Sequence, residues 1–240
     1  GAVAARIAAH LDAGDLDGAR AALPALVGRD PAELDAEGVA RAVVESVAEN
    51  TSDAVVGALF WGAVAGPAGV AGFRAANTLD AMWGHRSPRY ARYGWAAARL
   101  DDVLVWLPAR LTVALTAACA PVVGGSPVAA LRVAGADGGA HPSPNAGPVE
   151  SAFAGALGVV LGGSLSYGGR QEDRPVLGAR EPGARPVVLA DVDRVVRLSR
   201  AVGVVAAVAS ALGRVAVRRR RSARSHSSTG GGAQPERPAR

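Results

Sequence analysis

The sequence predicts an all-α, polytopic integral membrane protein with helical segments on the cytoplasmic side. Three observations carry this. Val55 to Phe73 is 19 residues without a charge, two further apolar runs follow at 103–123 and 202–217, and an arginine-rich stretch from Arg218 to Arg224 closes the last of them. A run near 20 apolar residues spans a hydrocarbon core as a helix, and basic residues flanking a span stay on the cytoplasmic side. The C-terminus is therefore expected in the cytoplasm and the protein in the cell inner membrane.

Residues 1–53 read as soluble helices ending in an acidic motif. Asp30 is placed to cap, Pro31 suits a first helical position, and Glu33 falls at capping-box spacing, so a helix is expected from there to about Asn50. Residues 54–221 form the expected membrane core, within which Gly66, Pro67 and Gly69 are expected to kink the first span. Pro108 and Arg110 interrupt the second, which is expected to enter lipid near Leu111. Residues 124–150 are expected to be a Gly/Pro-rich loop, and Ala152 to Leu165 is either re-entrant or packed within the bundle. From Ser222 the Ser/Gly/Pro/Arg composition predicts a disordered tail.

Composition excludes several chemistries. Every one of the 26 basic residues is arginine, so no lysine Schiff base or P-loop lysine exists in this sequence. Its charge of +5 is concentrated at the C-terminal end, which gives no footprint for nucleic acid. Cys119 is the single cysteine and excludes an internal disulfide. His85 and His141 have no partners at zinc spacing. The chain starts at Gly1 with no charged n-region before an apolar stretch, so no signal peptide is read.

Two constellations carry chemistry. Glu45, Glu49 and Asp53 recur every four residues opposite Val39, Val43 and Val47, and run straight into the uncharged segment. Such a row is either a solvated face or a set of oxygen ligands and bases at a membrane boundary. The segment Asn77 to Asp102 interleaves Arg86, Arg89, Arg92 and Arg99 with Trp83, Tyr90, Tyr93 and Trp95, beside Asp80, Asp101 and Asp102. Guanidiniums and flat rings suit a bulky anionic ligand, and the same composition suits a membrane-interface belt. SPNAG, Ser143 to Gly147, is a turn whose Asn145 donates and accepts through its amide.

In order along the chain, ESVAEN, NTLDAMWGHRSPRYARYGWAAARLDD, LPARLT, SPNAG, AGALGV, YGG and DRPVLG closely resemble the CobD/CbiB family of cobalamin biosynthesis, from about Val27 to about Arg200. The resemblance implies an ATP- and Mg²⁺-dependent ligase that joins (R)-1-amino-2-propanol, or its O-phosphate, to the f-propionate carboxyl of adenosylcobyric acid. It implies a lipid bilayer and other late cobalamin enzymes as partners, with the corrinoid as substrate. On this resemblance Glu45, Glu49 and Asp53 would hold Mg²⁺ or accept the ammonium proton, with Asp80 and Asp102 as further metal ligands. Arg86, Arg89 and Arg99 would hold phosphate or a corrin carboxylate, and Trp83, Tyr90 and Trp95 would cover the corrin. Asn50, Asn77 and Asn145 would orient substrate.

The sequence departs from the family's pattern in three places. Apolar helices expected ahead of the GRD region are missing, Pro148, Val149 and Glu150 follow SPNAG where an aromatic and Pro-Glu are expected, and His85 replaces a usual tyrosine. A corrinoid-binding or transport protein without ligase activity is the competing reading. A membrane regulator is disfavoured by the SPNAG and YGG motifs.

Overall fold

A computed structural model describes residues 1–27, 31–83, 91–167 and 170–229. Two short helices, α1 (Ala2–Asp12) and α2 (Leu16–Ala22), open the chain. Asp15 caps α2 by accepting from the Gly18 N–H at 2.8 Å, and its carboxylate also meets His10 Nδ1 at 2.8 Å. Ile7 and Leu23 are fully buried and join the main core.

Helix α3 (Ala36–Asn50) starts later than the capping pattern predicts. Pro31 to Leu34 closes a turn, with the Leu34 N–H donating to the Pro31 carbonyl, and Asp35 becomes the cap by accepting from the Gly38 N–H at 2.7 Å. Asp30 itself lies outside the described residues. The expected face of Val39, Val43 and Val47 is buried, but burial wraps the whole helix from Gly38 to Ala48 and includes Glu45. A boundary after Asp53 therefore falls inside a continuous helical stretch whose first half is core.

That stretch changes pitch at a π-helical turn, Thr51–Val56. Side chains compete for the backbone just before it: Asn50 Nδ2 donates to the Ser46 carbonyl at 2.8 Å, and Thr51 Oγ1 donates to the Val47 carbonyl at 2.7 Å. Such back-bonding loosens a helix, and single π turns mark functional sites more often than chance.

Helix α4 (Gly57–Trp83) does more than kink. Gly66 has φ 67° and ψ −151°, a conformation open to glycine almost alone, and Pro67 follows it. Beyond this point the chain folds back on itself. A side chain on Gly57 would collide with the ring of Phe73, and one on Gly69 would collide with the Trp61 carbonyl. In a straight helix Gly57 and Phe73 would stand about 24 Å apart along the axis. The stretch read as a single span is thus a helical hairpin with its tip at Gly66, and Arg214 Nη1 donates to the Gly62 carbonyl near that tip.

Helix α5 (Ala91–Cys119) runs unbroken through Pro108, where the sequence suggested an interruption. Pro108 lacks the N–H that would reach the Leu104 carbonyl, and Trp61 Nε1 donates to that carbonyl at 3.0 Å instead. The interval 124–150 is not simply a loop. Ser126 caps α6 (Pro127–Asp137) and Pro127 takes the first helical position, so a helix starts inside the stretch expected to be a loop.

Helix α7 (Ala146–Leu157) is almost wholly buried, which resolves the fate of Ala152 to Leu157 as packing within the bundle. Gly155 allows its backbone to approach α6: an added Cβ would lie 2.5 Å from the Ala129 carbonyl oxygen. After Gly158 (φ 68°) the chain forms an antiparallel hairpin of β1 (Leu161–Tyr167) and β2 (Arg170–Leu177), irregular between Leu161 and Gly163. The fold is predominantly helical, and this hairpin is a local addition to the predicted all-α class.

Helix α8 (Ala190–Thr229) closes the fold. It starts on a buried network in which Asp191 accepts from Arg185 at 2.7 and 2.9 Å and from Arg194 at 2.7 Å. The helix extends past Ser222, where composition predicted disorder to begin; 230–240 lie outside the described residues. Three helical stretches, Ala36–Trp83, Arg92–Val123 and Ala190–Val215, are long and apolar enough to cross a membrane by length and composition. Exposed Val64, Val103, Trp106, Leu111, Val204, Val208 and Leu212 give them apolar outer surfaces.

Candidate functional site

The hairpin and the π turn together build an acidic cluster. Asp53 and Asp80 lie at nearly equal chain distances on either side of Gly66, so folding back brings them toward the same end of the hairpin. Asp53 sits in the electrostatic field of Glu49, Asp101 and Asp80, which gather from the end of α3, the return arm of α4 and the first half of α5. Asn77 Nδ2 donates to Asp101 Oδ1 at 3.3 Å, and Arg74 Nη1 donates to Asn77 Oδ1 at 3.2 Å. A chain of amide and guanidinium donors thus supports one edge of the carboxylates. Surrounded by apolar helices, such a group of carboxylates produces a strong negative potential that favours a cationic ligand, and it places a proton acceptor beside it.

The predicted acidic row divides. Glu45 is turned into the core, where one oxygen accepts the Gly162 N–H at 2.8 Å, while Glu49 is exposed and groups with Asp53. Equal four-residue spacing does not keep the three on one face, because α3 drifts as an α-helix and then widens into the π turn.

Asp102 also departs from its expected place. Its carboxylate pairs with Arg99 at 3.4 Å, and its neighbour Asp101 takes the position facing Asp53. The signal for this was present: Asp101 continues the buried α5 stripe of Ala97, Val105 and Ala109, recurring every four residues.

The proposed substrate-binding residues separate into three groups. Asn77 is in the cluster, and Asn50 is next to it in sequence but spends its amide on Ser46. Trp83 stacks edge-on against Tyr93 with centroids 5.7 Å apart, joining the end of α4 to the start of α5, and Trp95 is 64% exposed. Asn145 is buried: it accepts from Arg110 at 2.7 Å and donates to the Asp102 carbonyl at 2.8 Å, which ties α7 to α5. Arg110 also lies 4.7 Å over the Trp106 ring, which explains how a charge is tolerated in an apolar helix. Arg86, Arg89 and Tyr90, together with His85, lie outside the described residues.

Among the described residues no group of three His, Cys, Asp or Glu side chains converges closely enough to hold a metal ion. The set Glu49, Asp53, Asp80 and Asp102 therefore does not form a ready coordination shell, with Asp102 turned toward Arg99.

Comparison with known proteins covers most of the chain. Residues 2–199 match the family model described as CobD/Cbib protein. A cobalamin biosynthesis protein CobD from Mycobacterium tuberculosis (strain ATCC 25618 / H37Rv) is 55% identical over 198 residues, 82% of this chain and 62% of that protein. The protein of the same name from Rhodobacter capsulatus is 50% identical over 186 residues, 78% of this chain and 58% of the relative. That from Stutzerimonas stutzeri (strain A1501) is 55% identical over 164 residues, 68% of this chain and 52% of the relative. The chain thus spans less than two thirds of the length of these relatives. No solved structure matches it.

Proposed function

This chain belongs to the CobD/Cbib protein family, and from that premise we propose that it acts in cobalamin biosynthesis as an acid–amine ligase at the cytoplasmic face of the inner membrane. The reaction joins the amine of (R)-1-amino-2-propanol, or its O-phosphate, to a propionate carboxyl of adenosylcobyric acid. The observation that supports this reading best is the carboxylate cluster of Glu49, Asp53, Asp80 and Asp101 at the open end of a membrane-embedded hairpin. An amino alcohol arrives as an ammonium ion, which the cluster attracts, and that ion must lose one proton before its nitrogen can attack an acyl carbon and a second as the amide forms.

A carboxylate is a poor acyl donor, so ATP is the implied co-substrate. One carboxyl oxygen leaves with the transferred phosphoryl group, giving ADP, phosphate and the amide. The nitrogen sheds two protons, of which one ends on the phosphate and one is released. Asp53, surrounded by like charges, is the proton acceptor in this reading, and Asn77 holds Asp101 in place beside it. Trp83, Tyr93 and Trp95 offer apolar rings for a large flat ligand.

The test uses membranes containing the full-length protein with adenosylcobyric acid, aminopropanol phosphate, ATP and Mg²⁺, and looks for the amide product by mass. Product formation supports the ligase. Corrinoid binding without product, in membranes where the protein is folded, replaces it with the binding or transport reading.

A further inference from the structure

A second polar group lies nearer the start of α3 than the acidic cluster, beside the β1–β2 hairpin. It gathers around Glu45. The irregularity between Leu161 and Gly163 turns the Gly162 N–H onto the Glu45 carboxylate, and the next residue, Gly163, lies against Arg41: a Cβ there would be 3.8 Å from Arg41 Nη1. Gly163 has φ 90°, and Arg174 is its cross-strand partner on β2. Bulges of this kind re-aim the backbone beside functional sites. His141, before α7, sits within the electrostatic reach of both Arg174 and Glu45.

Among the described residues, two of these side chains hold buried donors that find no hydrogen-bond partner, Arg41 Nε and His141 Nε2. His141 Nδ1 accepts the Ser143 N–H at 3.0 Å, so a neutral ring carries its hydrogen on Nε2, and that N–H is the unpaired one. Burial and the neighbouring Arg174 hold the imidazole below its ordinary pKa, which favours this neutral, donating form. An unpaired buried donor costs about 1–3 kcal/mol, and two in one locality call for a bound acceptor.

We propose that Arg41, His141 and Arg174 form an oxyanion-binding site, accepting a phosphate or carboxylate group beside the β-hairpin. Arg41 lies two turns before Glu49 on α3, about 12 Å along the axis, so this site is distinct from the acidic cluster. Its donors are forked guanidiniums and an imidazole N–H, which suits two or three oxygens of one anion. The inference rests on these donors and not on the ligase reading.

Equilibrium binding to the full-length protein in lipid nanodiscs tests it without turnover, using inorganic phosphate, ATP and propionate as separate probes. At least one probe is expected to bind and to lose about tenfold or more in affinity in Arg41→Gln and in His141→Phe, the size of a lost charge-assisted hydrogen bond. The probe that responds identifies the source: propionate a carboxylate, inorganic phosphate a phosphate ester, ATP alone a nucleotide. Arg41→Lys and His141→Gln, which keep a donor and fill similar space, are expected to retain most of the binding and cover the case in which the first pair does not fold. No binding of any probe, or equal binding in wild type and all folded variants, overturns the proposal. Failure of the amide-forming assay leaves these binding results unaffected, so the two readings fail separately.

Discussion

The indole N–H of Trp61 donates to the carbonyl of Leu104 at 3.0 Å, filling the one acceptor that Pro108 leaves open in α5. Within an apolar layer no water replaces such a partner, so the bond joins the outgoing arm of the α4 hairpin to α5 at a fixed height. Trp61→Phe keeps the ring and orphans the carbonyl, with an expected loss of about 1–3 kcal/mol. Pro108→Ala returns the missing N–H to the helix, so in the Trp61→Phe/Pro108→Ala double variant most of that loss should disappear. Thermal unfolding in detergent of the four proteins measures the coupling, and strict additivity would show that the indole bond does not serve the proline gap.

Asp53 carries the clearest expectation for activity. Asp53→Asn removes a proton acceptor from among Glu49, Asp80 and Asp101 and relieves like-charge repulsion. Amide formation is expected to fall by about a hundredfold or more, the usual contribution of a general base, with melting temperature unchanged or higher. Asp102→Asn, at a carboxylate directed to Arg99, should lower the rate far less. Product yield by mass spectrometry and a melting curve on the same preparations separate the two effects.

Gly66 tests the hairpin. Its φ of 67° with ψ of −151° admits almost no side chain, so Gly66→Ala should cost about 1–3 kcal/mol. Gly72→Ala, where an added Cβ meets nothing within 4 Å, should cost almost nothing. A cysteine pair at exposed positions near the two ends of α4 would report the fold-back directly by cross-linking. A straight span would keep such a pair unlinked.

Acid should weaken the fold through His141. Its folded pKa lies below the ordinary value of about 6.5 because burial and Arg174 oppose protonation, with Glu45 and the Ser143 N–H among the groups facing it. The unfolded chain then binds the proton more readily, so stability is fully present above about pH 6.5 and declines as the pH falls below it. His141→Gln should flatten that decline. Urea midpoints between pH 7.5 and 5.5 for both proteins provide the check.

How much of this could be read in advance depended on whether a feature was local. Charge-free length marked the apolar segments, and Gly66-Pro67 marked a break, but whether a break bends or reverses the chain is decided by contacts such as Gly57 with Phe73 and Gly69 with Trp61. The start of α3 at Asp35 instead of Asp30, and of α6 at Pro127 inside a stretch expected to be a loop, were hard to read because proline and aspartate serve both turns and helix starts, and the choice rests on which N–H groups remain to be capped. The β1–β2 hairpin was hidden by its glycines, whose value lies in letting the backbone approach Arg41 and Glu45. Glu49 and Asp53 were legible as a pair from spacing. Asp101 was legible only from the buried stripe it continues, and His141 only from its orphaned nitrogen.

Arg214 has a consequence for the order in which the molecule can be completed. It belongs to the last helix, and the carbonyl it reaches, Gly62, belongs to the first apolar stretch. A ribosome delivers residues 57–83 long before it delivers Arg214, at roughly 5–20 residues per second. During that interval the hairpin tip waits without the Arg214 guanidinium. Latching of the hairpin tip is therefore an event at the end of synthesis, and a chain stopped short of Arg214 would insert its early helices yet leave that tip without its arginine.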